Sequence, residues 1–218
     1  MSDFLHNLHS PLFSGMTPEE QQAALHCIGY HIGAFPKGSI IALENDNIKQ
    51  VGILLSGAVD MIKEDIWGNR SLLMRIYKDD LFGETFACGT DSQSVVTFTV
   101  SQDAEILFLP FCKTMCNCAN NCGHHHKVIE NMVRVIADKT RELLRKVEVV
   151  SKRTIRERVL AYLSIQSQLQ KSRYLELPLG RLELADYLCV DRSALTRELA
   201  KMKEDGLIDY DRNCFRLL

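Results

Sequence analysis

Short apolar runs separated by turn residues fill the first 110 residues of the chain. The runs are rich in β-branched and aliphatic residues, as in SIIAL, VGILLSG, AVDMIK, SLLMRIY, VVTFTV and AEILFL, and the breaks include PKG, ENDN, WGN and KDD. Many short strands at close spacing predict a β sandwich or barrel. One helix precedes the strands, because Thr17, Pro18 and Glu20 have the spacing of a capping box with proline in the first turn.

A helical period replaces this pattern between residues 127 and 150, where there is no glycine or proline. Steps of four and three residues predict a heptad seam, formed by Ile129, Val133, Ile136, Thr140, Leu143, Val147 and Val150. Such a stripe needs a partner surface. Two alternatives stay open: packing on the chain's own β domain, and pairing with the same helix of a second subunit, which we favour.

The last third of the chain predicts two helices joined by a short turn and followed by a hairpin. A helix over TIRERVLAYLSIQSQLQ and the strand YLELP come first, then the helix RLELADYL and a second one from Arg192 to about Glu204. Asp191 is a good N-cap for the second, and Gly206 ends it. Two short β runs follow around DRN. This order is typical of a winged helix-turn-helix, and the predicted fold class is α+β.

The second helix of this motif is the candidate DNA-reading element. Arg192, Ser193, Thr196 and Arg197 fall on one polar face of it. Arginine can bind guanine O6 and N7 with two hydrogen bonds, which discriminates bases by about 1–3 kcal/mol. Arg181, at the start of the preceding helix, is placed for a phosphate contact. The alternative is a solvated polar face that binds no nucleic acid.

Composition and charge fit this prediction without requiring it. The 218 residues are 46% hydrophobic and 25% charged, as in an ordinary soluble globular protein. No apolar run approaches the roughly 18 to 20 residues of a membrane helix, so we expect no membrane partner. The net charge of −2 is uneven: from Ser151 onward 13 Lys/Arg and 10 Asp/Glu give +3, which leaves −5 on the first 150 residues. A mildly basic end is suited to a polyanion.

The N-terminal stretch MSDFLHNLHSPLF lacks the basic start and apolar core of a signal peptide, so we expect a cytoplasmic protein. Its eight cysteines are then expected as thiols, ligands or redox sensors rather than disulfides. Cys27, Cys189 and Cys214 are expected to be buried as small apolar residues.

Four cysteines and three histidines lie together in CKTMCNCANNCGHHH. Cys112 and Cys116, Cys118 and Cys122, and Cys122 and His126 are each four residues apart, so each pair could chelate a metal from one face of a helix. The spacing differs from a C-x2-C zinc knuckle. A metal or haem site, thiol redox sensing and a structural role stay open as interpretations.

Over nearly its whole length the chain resembles the Crp/Fnr family of bacterial transcription regulators. GAFPKGSII, GILLSGAVDM and LFGE are similar to the family's β-roll (jelly roll) of the cyclic-nucleotide-binding type, and LELADYLCVDRSALTRELAKMKEDGLI to its DNA-binding motif. The resemblance implies an effector or sensor domain at 1–123, a dimerisation helix at 124–150 and a winged helix-turn-helix domain at 151–218. It also implies a homodimer on a palindromic site in double-stranded DNA, with RNA polymerase as a further candidate partner.

The resemblance also implies roles for single residues of the second helix. Arg192 and Arg197 fall on positions that contact bases or phosphates in the family. Ser193 falls where many members have a glutamate that accepts from cytosine, which puts the usual half-site in doubt. Thr196 falls where the Fnr branch has a serine.

The effector positions of the family are only partly kept. The GE pair that contacts the ribose of cyclic AMP is present, whereas the phosphate-binding Arg-Ser pair and the adenine-contacting Thr-Ser pair are replaced. These positions form the candidate effector pocket: Gly83 and Glu84, Ser94 and Val95, and Leu143 and Leu144. We do not expect cyclic AMP, because its phosphate would lack charge-assisted hydrogen bonds. The candidate cofactors are a metal, an iron–sulfur cluster or haem.

Two other classes of protein remain as alternatives. A cupin-like enzyme would need a His-x-His set on its strands, which the β region lacks, so we predict no catalytic activity. A metal- or thiol-binding protein on the same fold would bind no specific DNA, and a DNA-binding assay separates it from a regulator.

Overall fold

The computed structural model describes residues 8–68, 70–115 and 123–218, and the α+β fold class is confirmed. The chain divides into two compact units, the first reaching to Ala137 and the second running from Asp138 to Leu218. The functional division at residues 123 and 150 stays a prediction. No helix in the described part of the chain is long and apolar enough to cross a membrane.

The first unit is a β-roll with helices at both ends of its sequence. Its elements are a 3-10 turn Pro11–Phe13, α1 Pro18–Ile28, β1 His31–Phe35, β2 Ile40–Ala42, β3 Gln50–Glu64, β4 Arg70–Ile76, β5 Leu81–Phe82, α2 Glu84–Ala87, β6 Thr97–Pro110, α3 Phe111–Met115 and the start of α4 Gly123–Val150. The strands pair antiparallel in the order β1-β6-β3-β4, while β2 also pairs with β6 and β5 with β3.

Helix α1 begins with the predicted capping box. The Glu20 amide donates to the Thr17 hydroxyl at 3.3 Å, and the Thr17 amide donates to the Glu20 carboxylate at 2.8 Å. These two bonds satisfy amides that the first turn of a helix leaves without partners.

The two central strands are longer than their sequence runs predict. VGILLSG and AVDMIK belong to one strand, β3, and VVTFTV and AEILFL both contribute to β6. Strand β3 is irregular at Gly57, whose φ is 85°. The pairing of β3 with β6 shifts register around this residue, between Leu54 and Val59. A β-bulge thus takes the place of a turn, because an extra residue in one strand bends it without ending it.

Helix α4 packs in the first unit mainly through residues outside the predicted seam. Val128 and Met132 are fully buried and Val135 nearly so, in one core with α1, β3 and β6. The buried Asn131 side chain donates to two carbonyl oxygens of the N-terminal segment, at 3.0 and 2.9 Å. Hydrogen bonds of this kind satisfy a buried amide that would otherwise be costly.

The predicted seam of α4 is largely exposed. Val133, Leu143 and Val147 are 57%, 62% and 53% exposed. Ile136, another seam position, packs against the core of the first unit, whereas Leu143 and Val147 belong to the second unit. Both alternatives for the partner surface therefore stay predictions.

The second unit is a small α/β module. After the end of α4 it contains α5 Ile155–Gln170, β7 Tyr174–Glu176, α6 Arg181–Tyr187, α7 Arg192–Glu204, β8 Ile208–Asp211 and β9 Cys214–Leu217. Its strands form a sheet in the order β7-β9-β8. One core joins the helices to the sheet and includes Val149 from the last turn of α4.

The prediction that Cys27, Cys189 and Cys214 are buried is wrong, since all three are exposed. Cys27 is not among the buried residues of α1, and Cys214 is an exposed position of β9. Cys189 lies in the turn between α6 and α7 with φ 54°. Sequence composition does not reveal which face of an element a small residue occupies.

Replacing Gly57 with alanine tests the bulge in β3. A methyl group there would lie 2.1 Å from the Asp103 carbonyl oxygen, in addition to the left-handed φ. We expect G57A to lower the free energy of unfolding by about 3 kcal/mol or more, measured by urea denaturation. The matched control is G38A, at φ 88° with no described atom within 4 Å of the new methyl group. It should cost only about 1–2 kcal/mol, and equal losses in both variants would contradict the bulge geometry.

Candidate nucleic-acid interface

The turn between α6 and α7 positions the predicted reading helix. Helix α6 ends at Tyr187, and Cys189 takes a left-handed conformation that reverses the chain. Asp191 then caps α7, because its Oδ1 accepts from the Ala194 amide at 2.9 Å. The predicted N-cap and the predicted bounds of this helix are both found.

Helix α7 separates apolar and polar residues onto two faces. Leu195, Leu199 and Met202 are fully buried in the core of the second unit. The four side chains proposed to contact DNA are all exposed: Arg192, Ser193, Thr196 and Arg197. The structure therefore brings these four residues together on one solvent-facing surface.

The two hydroxyl groups on this surface are engaged by the helix itself. Ser193 Oγ donates to Asp191 Oδ1 at 2.5 Å, and Thr196 Oγ1 donates to the Arg192 carbonyl at 2.9 Å. The Ser193 hydroxyl and the Ala194 amide together lower the pKa of Asp191 from its usual range. The guanidinium groups are left as the main outward donors.

Arg197 also forms one long hydrogen bond to the backbone of its own helix. Its Nε donates to the Ser193 carbonyl at 3.4 Å, a long bond that involves only one nitrogen of the guanidinium. Arginine forks bind guanine or phosphate through two N–H groups at once, so this arrangement is compatible with either ligand.

Arg181 differs from the other predicted DNA contacts, because it packs on the hairpin. Its guanidinium lies 5.0 Å from the centre of the Tyr210 ring and 5.6 Å from that of Phe215, and Nη2 donates to the Arg212 carbonyl at 3.3 Å. Burial lowers its pKa from the usual range. The structure thus gives Arg181 a role in holding the hairpin, and its phosphate contact stays a prediction.

Two further arginines were missed by sequence reasoning. Arg156, on the first turn of α5, binds Glu198 at 2.6 Å and Asp205 at 2.7 Å, and so ties α5 to α7 and to the residue that follows α7. Arg158 binds the turn before α7. No local pattern signals these contacts, since the partners lie at least 30 residues further along the chain.

The candidate effector residues Ser94 and Val95 carry no charge, and a nearby lysine, Lys63, is paired with a carboxylate. Ser94 is fully buried and its hydroxyl donates to the Val96 carbonyl at 2.6 Å, whereas Val95 is 61% exposed. Lys63 approaches from β3, donates to the Val95 carbonyl at 3.0 Å and forms an ion pair with Glu44. A phosphate here would have to compete with that carboxylate.

The remaining effector candidates fall into different environments. Gly83 has φ 81° at the start of α2, and Glu84 is only 3% exposed. Leu143 and Leu144 belong to the second unit and are each 62% exposed. Inside the sheet, aromatic rings fill the space near α2, with Phe98 packed against two others.

The cysteine cluster is only partly described. Cys112 is exposed on α3, whereas Cys116, Cys118 and Cys122 lie outside the described residues. His126 is exposed, and its Nε2 lies 3.4 Å from a Glu130 oxygen. Among the described residues there is no group of three or more side chains arranged to hold a metal ion.

The neighbouring histidine has a different role. His125 is 4% exposed, its Nε2 donates to the Thr114 carbonyl at 3.0 Å, and its Nδ1 lies 3.8 Å from Cys27 Sγ. The side chain therefore joins the start of α4 to α3 and α1. A run of three histidines gives no sign that its middle member is buried.

Each of the two units matches a known protein-domain model. Residues 33–112 match the model of the cyclic nucleotide-binding domain, and residues 157–218 match that of the Crp-like helix-turn-helix domain. Among curated protein sequences none matches the chain.

Solved structures with a similar fold cover almost the whole chain. The catabolite activator protein of Thermus thermophilus is 22% identical with a TM-score of 0.52, over 96% of this chain and 94% of that one. The c-di-GMP responsive global regulator CLP of Xanthomonas campestris is 16% identical with a TM-score of 0.63, over 91% and 98%. A CooA mutant from Carboxydothermus hydrogenoformans is 19% identical with a TM-score of 0.64, over 97% and 91%.

These likenesses show a shared fold, and the two domain models add the sequence signature of each unit. A cyclic nucleotide-binding domain followed by a Crp-like helix-turn-helix domain accounts for the β-roll, for the capped reading helix and for the hairpin that follows it. The chain belongs to the Crp/Fnr family of transcription regulators.

Proposed function

We propose that the chain acts as a homodimer that binds a specific DNA sequence, and that a signal in the β-roll or the cysteine cluster changes its affinity for DNA. The observation that carries this proposal is the exposed polar face of α7, where Arg192 and Arg197 project from a helix whose other face is buried. The family consists of regulators rather than enzymes, so we assign no catalytic activity. Its place of action would be the cytoplasm, where bacterial DNA lies.

The proposed reading surface depends on the two arginines. A helix of this kind enters the major groove, where each guanidinium fork can meet a guanine. Ser193 has no carboxylate to accept from cytosine, and its hydroxyl already donates to Asp191. We therefore infer a half-site selected mainly through Arg192 and Arg197, with Thr196 at the edge of the contact.

The exposed stripe on α4 supports the homodimer. Each exposed aliphatic side chain that becomes buried contributes about 1.5–3 kcal/mol, so Val133, Leu143 and Val147 favour a partner surface. A second copy offers the same stripe, and a heptad pattern pairs with itself around a two-fold axis. The occupant we propose is therefore the α4 helix of a second subunit.

A two-fold symmetric dimer predicts a palindromic binding site. Two copies of α7 would read half-sites about one helical turn, 34–36 Å, apart. A regulator bound at a promoter can contact RNA polymerase, which stays a candidate partner.

Two kinds of signal are candidates. Ser94, Val95 and the Lys63–Glu44 ion pair do not favour a cyclic phosphate, so a different ligand of the β-roll is one candidate. The other candidate signal arises at the cysteine cluster, where a metal, an iron–sulfur cluster or haem could bind, or where thiols could be oxidised. Absorbance and metal content of anaerobically purified protein distinguish these, because haem, iron–sulfur and zinc each leave a different signature.

Removing the Arg197 side chain should weaken specific DNA binding. We expect R197A to lose about 10- to 100-fold in affinity for its promoter fragment, because a bidentate base contact is worth about 1–3 kcal/mol. S193A, whose hydroxyl is engaged by Asp191, should change affinity by less than about 3-fold. Fluorescence anisotropy at fixed salt measures both. Absence of any binding by the unmodified protein at low salt would instead support the alternative of a metal- or thiol-binding protein.

A charge in the exposed stripe should separate the subunits. L143D would place a carboxylate in the proposed seam, so we expect sedimentation velocity to show monomers where the unmodified protein shows dimers. The matched control is L169D, since Leu169 on α5 is 51% exposed and outside the stripe. A dimer that persists in L143D, or is lost equally in L169D, contradicts the assignment of the interface.

Cyclic AMP should leave DNA binding unchanged. The family's phosphate-binding Arg-Ser pair is Ser94 and Val95 here, and the nearby Lys63 is paired with Glu44. We expect the dissociation constant for promoter DNA to be the same within about 2-fold with and without millimolar cyclic AMP. A tightening of about 10-fold or more would show that other residues bind the nucleotide phosphate.

A further inference from the structure

One side chain joins the segment after α4 to the turn before the reading helix. Arg158 Nη1 donates to the carbonyl oxygens of Leu188 at 3.0 Å and Cys189 at 3.1 Å. Its Nε donates to the carbonyl oxygen of Lys152 at 3.0 Å. Lys152 lies between the end of α4 and the start of α5, so the three acceptors come from two separate parts of the second unit.

Two of these acceptors, the carbonyls of Leu188 and Cys189, follow the end of α6 and suit a charged donor. The last carbonyls of a helix have no partner within it and carry partial negative charge. The turn after α6 presents two such carbonyls, and its Cys189 is held at φ 54°, which is unfavourable for a residue with a side chain. Arg158 supplies a charged donor to both carbonyls at this strained point.

The position of Arg158 is itself fixed by the start of α5. The Glu157 amide donates to the Thr154 hydroxyl at 3.2 Å, and the Thr154 amide donates to the Glu157 carboxylate at 3.0 Å. This capping box stabilises the first turn of α5. Arg156, on the same turn, forms an ion pair with Glu198 of α7. Val149 of α4 is buried in the same core. Apolar packing of Val149 and the hydrogen bonds of Arg158 thereby connect the end of α4, the first turn of α5 and the turn before α7.

We propose that Arg158 is a positioning residue for DNA recognition, which couples the segment after α4 to the turn before α7 and sets the orientation in which α7 is presented. Arg158 contacts no DNA in this role. The proposal rests on the proposed function, because α7 must read DNA for its orientation to matter.

The test compares specific with non-specific binding. R158A leaves the carbonyls of the turn without their charged donor, whereas R158K keeps the charge with a single nitrogen that cannot reach all three acceptors. We expect R158A to lose about 10-fold or more in affinity for promoter DNA, with affinity for random DNA unchanged, so that the ratio of the two falls. R158K should show an intermediate loss. R153A, which removes an exposed charge five residues earlier, should keep the ratio of the unmodified protein.

Each contrary result has a distinct meaning. If the ratio is unchanged in R158A and R158K while thermal stability falls, Arg158 only stabilises the fold and the proposal is overturned. If both affinities fall and the salt dependence decreases by about 0.9 in slope, Arg158 contacts a phosphate and the proposal is also overturned.

The folding of the variants is part of the test. If R158A does not fold, R158K decides, and loss of folding in both overturns the proposal in favour of a purely structural role. If the unmodified protein shows no preference for promoter DNA, the proposed function fails. A preference that survives unchanged in the Arg158 variants refutes only the positioning role.

Discussion

The two apolar faces of α4 are the constraint on which the rest of the chain depends. On one face of α4, Val128 and Met132 are buried in the core of the first unit. On another face, Leu143 and Val147 are exposed. The last turn places Val149 in the core of the second unit. A single helix therefore contributes residues to the core of each unit and carries an exposed apolar stripe.

The arginines of the second unit divide into two groups by their partners. Arg156, Arg158 and Arg181 contact carboxylates, carbonyls and aromatic rings of the same unit, and so hold α5, the turn and the hairpin in place. Arg192 and Arg197 are exposed on α7. Because a partly buried guanidinium is costly without acceptors, the first group is committed to structure, and the second remains available to a ligand.

Features that depend on neighbours in sequence were predicted well. The capping box at Thr17 and the N-cap at Asp191 are found as expected, since both are made by residues three positions apart. The bounds of α7 also agree, because its apolar period and its cap are local. Features that depend on distant neighbours were not predicted: the bulge at Gly57, the exposed Cys189 and the packing of Arg181 on the hairpin.

The sequence by itself determined the succession of a β-rich region, a long helix and a helix-turn-helix with its hairpin, the bounds of α7 and the likeness to a family of regulators. Period, caps and motifs of this kind depend on adjacent residues. Only the tertiary structure decided which face of α4 is buried, that Ser193 is engaged by Asp191, and that Arg158 holds the turn before α7. Those outcomes depend on which of several possible partners each side chain contacts in the folded protein. The choice among these partners is made only when elements that are distant in sequence pack together.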